Sequence, residues 1–355
     1  MRCIKKIVMS LAIFFNLFWL TNPVLASGPY RVGTTAANFL ELGFGGAGCA
    51  MGDAYVSVTR DISSIYWNPA GLGYMENNQF IGELQPWIVD INFSMGAFGY
   101  VHPTFGTFAL SFMNTSFGEE VVTTVNDPEG YGQTFTGQDI ALQVSYGRKL
   151  AQWFSFGATG KYINSRIWKS DASAFAFDLG AIVNTNFLNW TGEPGDGINI
   201  GMCISNYGTK LRYTGQNIKD RLDISDDHGN YQYLPVNYDT EAWELPLIFR
   251  IGLSFKPILT DNHVLTVSAD ALHPNNNSES VNVGGEYKLK IQPVGTFSLR
   301  GGYKALFMDK SEYGVTFGGG FQKNMLNNYT LSVNYALRDF GTLGYLSSYS
   351  IGLSF

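Results

Sequence analysis

The chain ends Ser348-Tyr349-Ser350-Ile351-Gly352-Leu353-Ser354-Phe355, and this alternation restricts the possible folds more than any other feature. Tyr349, Ile351, Leu353 and Phe355 fall on one face of a strand, while Ser348, Ser350, Gly352 and Ser354 fall on the other. A final strand that alternates in this way and stops on an aromatic residue reads as the closing strand of a bacterial outer-membrane β-barrel. Its apolar residues would face lipid and its small polar residues the lumen. The alternative is the edge strand of a soluble sheet.

The N-terminus agrees with export. Arg2, Lys5 and Lys6 precede a mostly apolar run from Ile7 to Leu20, and Val24-Leu25-Ala26 places small residues where a signal peptidase reads them. Residues 1–26 are therefore expected to be a secretory signal peptide. The apolar run is short for a membrane-spanning anchor, and no cysteine follows the expected cut to carry a lipid. Composition points the same way. The 355 residues include 41 Gly, 26 Phe, 20 Tyr and 7 Trp but only 15% charged residues, and no later apolar stretch is long enough for a transmembrane helix. A membrane barrel resolves that combination, because each strand needs apolar residues only at alternate positions. Without residues 1–26 the chain carries 20 basic and 29 acidic residues, a balance of −9, so nothing suggests nucleic acid. Cys49 and Cys203 could form a disulfide in an oxidising compartment or serve as small buried fillers.

From residue 77 onward, period-2 segments recur between turn residues, giving about 14 strands. Phe108, Leu142, Phe177, Phe249, Leu299 and Val333 lie on the apolar faces and are expected to face lipid. The opposite faces carry Asp139, Lys161, Asp178, Arg250, Asp270, Glu286, Arg300, Lys304 and Arg338, with both signs of charge present. A soluble barrel or sandwich would turn its apolar face inward. With both termini at the periplasmic end, connections after odd-numbered strands face outward, and the two longest, 118–137 and 206–243, fall there. Most even-numbered connections are short; 184–197 is the exception.

Residues 27–76 do not alternate. Small residues, capping Asp and Ser, and the string Trp67-Asn68-Pro69-Ala70-Gly71-Leu72 suggest short helices and turns packed closely together, a natural plug for the lumen. The expected organisation is thus a signal peptide (1–26), a partly helical hatch (27–76) and an all-β transmembrane antiparallel barrel (77–355). Gly52-Asp53-Ala54 followed by Trp67-Asn68-Pro69-Ala70-Gly71-Leu72 resembles the N-terminal hatch of the FadL superfamily of fourteen-stranded barrels. The fuller pattern, with Ala47-Gly48 and Ser64-Ile65-Tyr66 added, is more similar to the PorV/PorQ family within it. The hatch residues Gly52, Asp53, Trp67, Asn68, Pro69 and Gly71 carry the resemblance; over the barrel it is architectural. What it implies is location in the cell outer membrane of a Gram-negative-type bacterium. For some members it also implies work with the type IX secretion system, receiving cargo by its C-terminal signal domain. The barrel assembly machinery would read Leu353 and Phe355 as an insertion signal.

Other chemistries find little support. The Gly43–Gly48 run lacks the Gly-Lys-Ser/Thr ending of a phosphate loop and no strand precedes it. Asp223, Asp226, Asp227 and Gly229 lack EF-hand spacing. His102, His228, His263 and His273 lack metal-ligand spacing, and no nucleophile elbow occurs. No cofactor, metal or catalytic residue is assigned. Asn68-Pro69 fits a structural turn, or a hatch that moves. Two functions remain. One is an accessory of protein export that binds cargo or a translocon. The other is a FadL-like channel for long-chain fatty acids or other hydrophobic compounds, which would want an apolar pocket in the lumen. The polar inner face favours the first, with Tyr231, Tyr233, Leu234, Tyr238 and Trp243 as candidate partner-binding residues.

Overall fold

A run of alternating strands leaves two edges unless the sheet closes on itself, and here it closes. The computed structural model describes residues 31–189, 191, 196–222, 234–325 and 329–355. The wall begins with β1 (Gln79–Pro86), β2 (Asn92–His102), β3 (Gly106–Val121), β4 (Thr134–Ala151), β5 (Phe154–Ile167), β6 (Ser170–Asn184) and β7 (Asn199–Gly208). Three short strands lie in the excursion that follows: β8 (Thr214–Gly215), β9 (Lys219–Leu222) and β10 (Leu234–Asn237). The wall resumes with β11 (Ile248–Leu259), β12 (His263–Pro274), β13 (Ser280–Ile291), β14 (Gly295–Leu306), β15 (Val315–Asn324), β16 (Thr330–Asp339) and β17 (Tyr345–Ser354). These fourteen wall strands form one antiparallel cylinder. β7 pairs directly with β11 across the excursion, and β1 closes on β17 with Gln79 opposite Ser354.

Period 2 assigns the side chains as expected. Phe108, Leu142, Phe177, Phe249, Leu299 and Val333 are all exposed on the outside of the wall, whereas Lys161, Asp178, Arg250, Asp270, Glu286, Arg300 and Arg338 are buried on the inside. Phe177 is 61% exposed while Asp178 beside it is 1% exposed, so a single residue step separates the two environments.

The two ends of the cylinder differ. Where β1 starts and β17 stops, the turns at 103–105, 152–153, 260–262 and 292–294 are short, and 185–198 is longer. The other end carries the connections 122–133 and 209–247. The first of these is shorter than the 118–137 expected from sequence. Glu119–Thr136, Glu120–Phe135 and Val121–Thr134 continue the β3–β4 ladder past an irregularity at Ser116, so the strands project beyond the rest of the wall. In the second, β9 and β10 form a separate ribbon, and Leu211 and Trp243 exchange backbone hydrogen bonds of 2.8 and 2.9 Å at its base.

Residues 38–74 contain only brief turns of helix: Asn38–Glu41, Gly46–Ala50, Ser64–Trp67 and Pro69–Tyr74. Phe39, Leu40, Phe44, Met51, Ile65 and Trp67 pack into one buried cluster with Phe93, Met95, Met113 and Ile163 of the wall. The core therefore sits inside the cylinder. The segment starts at the long-loop end, where Ala36 N–H bonds Glu244 O (2.9 Å), and leaves at the short-turn end, where Ile62 N–H bonds Gln79 Oε1 (3.0 Å). Cys49 and Cys203 are both buried and free, so the disulfide that their number permitted does not form. Among the described residues no helix is long and apolar enough to cross a membrane. The expected signal peptide lies outside the described residues.

Candidate functional site

Short helical turns leave many backbone N–H and C=O groups without partners, and a segment enclosed by a wall must find them there. The inward polar residues supply them. Glu83 accepts from the Gly45 N–H, and Gln85 Nε2 donates to Gly43 O (2.5 Å) and to Glu83 Oε1 (2.8 Å). Asp270 Oδ2 accepts from Val56 N–H (2.9 Å). Hydroxyls of Ser155, Ser268 and Thr316 donate to the carbonyls of Ala70 (2.6 Å), Ala54 (2.6 Å) and Ala50 (2.9 Å). Strands on opposite sides of the cylinder thus hold the same segment.

The residues expected from sequence to form a hatch, Gly52, Asp53, Trp67, Asn68, Pro69 and Gly71, are all buried. Gly52 and Asp53 both adopt left-handed backbone angles (φ 66° and 63°), forming a tight turn against β13 and β14. A Cβ at Gly52 would lie 2.8 Å from Tyr303 N and Val283 O, so only glycine fits. Asp53 Oδ2 then meets Lys304 Nζ at 2.6 Å. Trp67 is fully buried, donates from Nε1 to Phe44 O (2.6 Å), and stands edge-on to Tyr66 with centroids 4.8 Å apart. Asn68 caps the next turn: its Oδ1 accepts from Ala70 N–H (3.1 Å), while Nδ2 donates to Val56 O (3.0 Å) and to Ala181 O of β6 (3.1 Å). Pro69 opens the turn Pro69–Tyr74, where its missing N–H costs nothing. Gly71 passes close to Thr59 O, which a Cβ would approach to 2.7 Å.

Charge in the lumen is paired in part. Lys161 lies 2.7 Å from Asp178, and Arg300 and Lys288 lie 2.6 and 2.8 Å from Glu286. Arg338 donates to Gln85 Oε1 (2.5 Å) and sits near the rings of Trp87 and Phe340. Such pairing offsets the cost of removing each ion from water. Two cavities flank the segment. One of about 350 Å³ lies towards the short-turn end, beside Arg60, Arg300, Ser332 and Asn334. One of about 80 Å³ lies towards the long-loop end, beside Glu41, Asp53, Arg250 and Lys304. Among the described residues no group of side chains could hold a metal ion.

Of the candidate partner-binding residues, Leu234, Tyr238 and Trp243 are among those described. Leu234 and Tyr238 are exposed on or beside the β9–β10 ribbon, and the Tyr238 hydroxyl bonds Asp220 Oδ2 (2.9 Å). Trp243 sits at the base of the excursion, 40% exposed. Tyr231, Tyr233 and the acidic Asp223, Asp226 and Asp227 lie outside the described residues. Leu353 and Phe355 are on the outside of the last strand, Leu353 opposite Phe80 and Leu331. Sequence reasoning missed Glu83 and Gln85, which lie on a weakly patterned first strand. It also missed what glycine marks on inward positions of the wall. Gly157, Gly180, Gly201, Gly284 and Gly302 face Pro69, Asn68, Val56, Met51 and Met51 respectively, so an inward glycine was the available signal of backbone contact.

Among solved structures the chain is similar to the toluene transporter TodX of Pseudomonas putida (TM-score 0.54, 12% identity, covering 88% of this chain and 97% of that one). It is similar also to the toluene transporter TbuX of Ralstonia pickettii (0.53, 12%, 88% and 97%) and to the CymD monoaromatic hydrocarbon channel (0.53, 11%, 88% and 96%). At such identity the likeness is one of fold. No curated protein sequence matches significantly. The family described as type IX secretion system protein PorV matches residues 26–271, well over half of the sequence, and the chain therefore belongs to the PorV family.

Proposed function

We propose that this protein is an outer-membrane barrel in which residues 27–76 act as a plug, and that it serves protein export by binding cargo or translocon subunits through its outward loops. The apolar outer wall suits lipid, and the end bearing 122–133 and 209–247 is then the outer one. The observation that carries the functional part is the filled, polar lumen. A conduit for hydrophobic solutes needs a continuous apolar path, whereas here Glu83, Asp270, Arg300 and Arg338 line the wall and hydrogen-bonded backbone fills the centre. Binding is left to the projecting β3–β4 ladder and the β9–β10 ribbon. Exposed Leu234 and Tyr238 supply apolar anchors there, and Glu119 and Glu120 supply steering charge. No group in the lumen is assigned a catalytic role.

The test is to replace residues 214–240 with a short Gly-Ser linker, leaving the Leu211–Trp243 bridge intact. Heat-modifiability on gels reports whether the barrel still folds. Loss of exported proteins from the cell surface with unchanged uptake of toluene and a long-chain fatty acid is the expected result. Unchanged export with lost uptake would replace this function with the FadL-like channel.

A further inference from the structure

The β2–β3 ladder runs without a break from His102 opposite Gly106 to Asn92 opposite Ser116, where β2 ends at the short connection 87–91. β3 continues to Val121 and is paired there only with β4, Glu119 opposite Thr136, Glu120 opposite Phe135 and Val121 opposite Thr134. In the same register Val122 N–H bonds Gln133 O (2.8 Å). Antiparallel pairs alternate between bonded and unbonded. Glu120 therefore turns its backbone groups to β4, and Glu119 and Val121 turn theirs the other way. Among the described residues no backbone or side-chain group takes up those two N–H and two C=O groups. The sheet thus keeps one open edge, at the long-loop end of a wall that is otherwise closed.

Open edges are commonly guarded by charge, and here the charge has one sign. Between Arg60 and Arg148 the sequence contains neither Lys nor Arg. Five carboxylates of that stretch, Asp90, Glu119, Glu120, Asp127 and Glu129, are exposed at the long-loop end. None of them forms an ion pair among the described residues. Asp90 lies beside the foot of the edge, where a Cβ on Gly118 would be 3.5 Å from its Cβ. Arg166 and Lys169 belong to β5 and its turn, across β4 from the edge. An edge guarded in this way repels acidic strands and a second copy of itself, and admits a strand that brings cations.

We infer that residues 119–121 accept an extended segment of another polypeptide, carrying Lys or Arg, as an added strand. Main-chain bonds to Glu119 and Val121 supply the hold, and the surrounding carboxylates select the cationic sequence. That the segment belongs to an exported protein or a translocon subunit rests on the export reading; the strand addition itself does not.

The test uses the full mature barrel in detergent and a fluorescent peptide of alternating lysine and valine, blocked at both ends, with binding read by anisotropy. The comparison probes are the same peptide N-methylated along its backbone, which keeps the charge and loses the donors, and a peptide of alternating glutamate and valine. Saturable binding of the lysine peptide is expected, at least tenfold weaker after N-methylation and absent for the glutamate peptide. V121P deletes an N–H that this chain leaves unused, and proline is tolerated at a sheet edge. It should keep the folded gel mobility and weaken the lysine peptide at least tenfold. The double variant E119K/E120K should reverse the preference between the lysine and glutamate peptides, and carries the test if V121P does not assemble. No binding to the wild type, or binding that N-methylation or V121P leaves unchanged, would overturn the inference. The export reading is judged separately by the 214–240 replacement, which keeps this edge; peptide binding lost in V121P while export continues would uphold the strand addition and remove it from export.

Discussion

Replacing Asn68 with Ala should loosen the lumenal segment while leaving the wall closed. Asn68 is fully buried, and its side chain makes hydrogen bonds of 3.0, 3.1 and 3.1 Å to Val56 O, Ala181 O and Ala70 N–H. Each is worth about 1 kcal/mol net, and a buried group left unmatched costs about 1–3 kcal/mol. Truncation to Ala should therefore cost about 3 kcal/mol, which is roughly a hundredfold in the local opening equilibrium. N68D keeps the Oδ1 acceptor but turns a carboxylate oxygen towards two carbonyls, so it should be at least as damaging. Hydrogen exchange on the purified barrel reads the effect directly. Amides in 56–74 should exchange about a hundredfold faster in N68A, while those of β12 and β13 keep wild-type protection. Protection of 56–74 within threefold of wild type would refute the claim that Asn68 ties the segment to β6. So would uniform loss over the wall.

G48A should destabilise the same segment by about 1–3 kcal/mol through overpacking, since a Cβ there would lie 2.6 Å from the Trp67 indole; a thermal midpoint equal to wild type would contradict it. F177R introduces a charge on an outward position of β6. At mid-membrane this costs about 2–4 kcal/mol, so folded barrel should be depleted from outer membranes, and wild-type abundance would count against a lipid-facing wall. L353D lies one residue from the end of β17, opposite Phe80 near the start of β1, where the bilayer penalty is about 0–1 kcal/mol. Depletion of L353D as deep as that of F177R would therefore assign the loss to recognition of the last strand during assembly, and near-normal levels would remove Leu353 from the insertion signal.

The wall was legible because period 2 is local. Once Phe177 and Asp178 fall on opposite faces, every neighbour on β6 follows, and the same holds for Arg250 on β11. The strand ends were less legible. The β3–β4 ladder runs past an irregularity that composition does not announce, so the expected loop was too long. The partners of the inward charges could not be read at all. Lys161 and Asp178 are adjacent only through the β5–β6 pairing and its register, and Asp53 meets Lys304 because two left-handed residues aim the turn at β14. Glu83 was overlooked for a similar reason, since its partner, the Gly45 N–H, belongs to a segment without periodicity. The Trp67–Gly71 string was recognisable as a motif, but its place against β4, β5 and β6 depends on inward glycines whose meaning emerges only once the cylinder is closed.

The most direct test of an export role is to place a photocrosslinking amino acid at Leu234 and at Tyr238 and irradiate intact cells during active protein export. Phe177, on the outer wall, serves as the comparison position. The expected result is covalent adducts to an exported protein or a translocon subunit from one or both loop positions and none from Phe177. Loop positions that yield no protein adduct, in cells where deleting this chain leaves export intact and abolishes uptake of a hydrophobic compound, would contradict it.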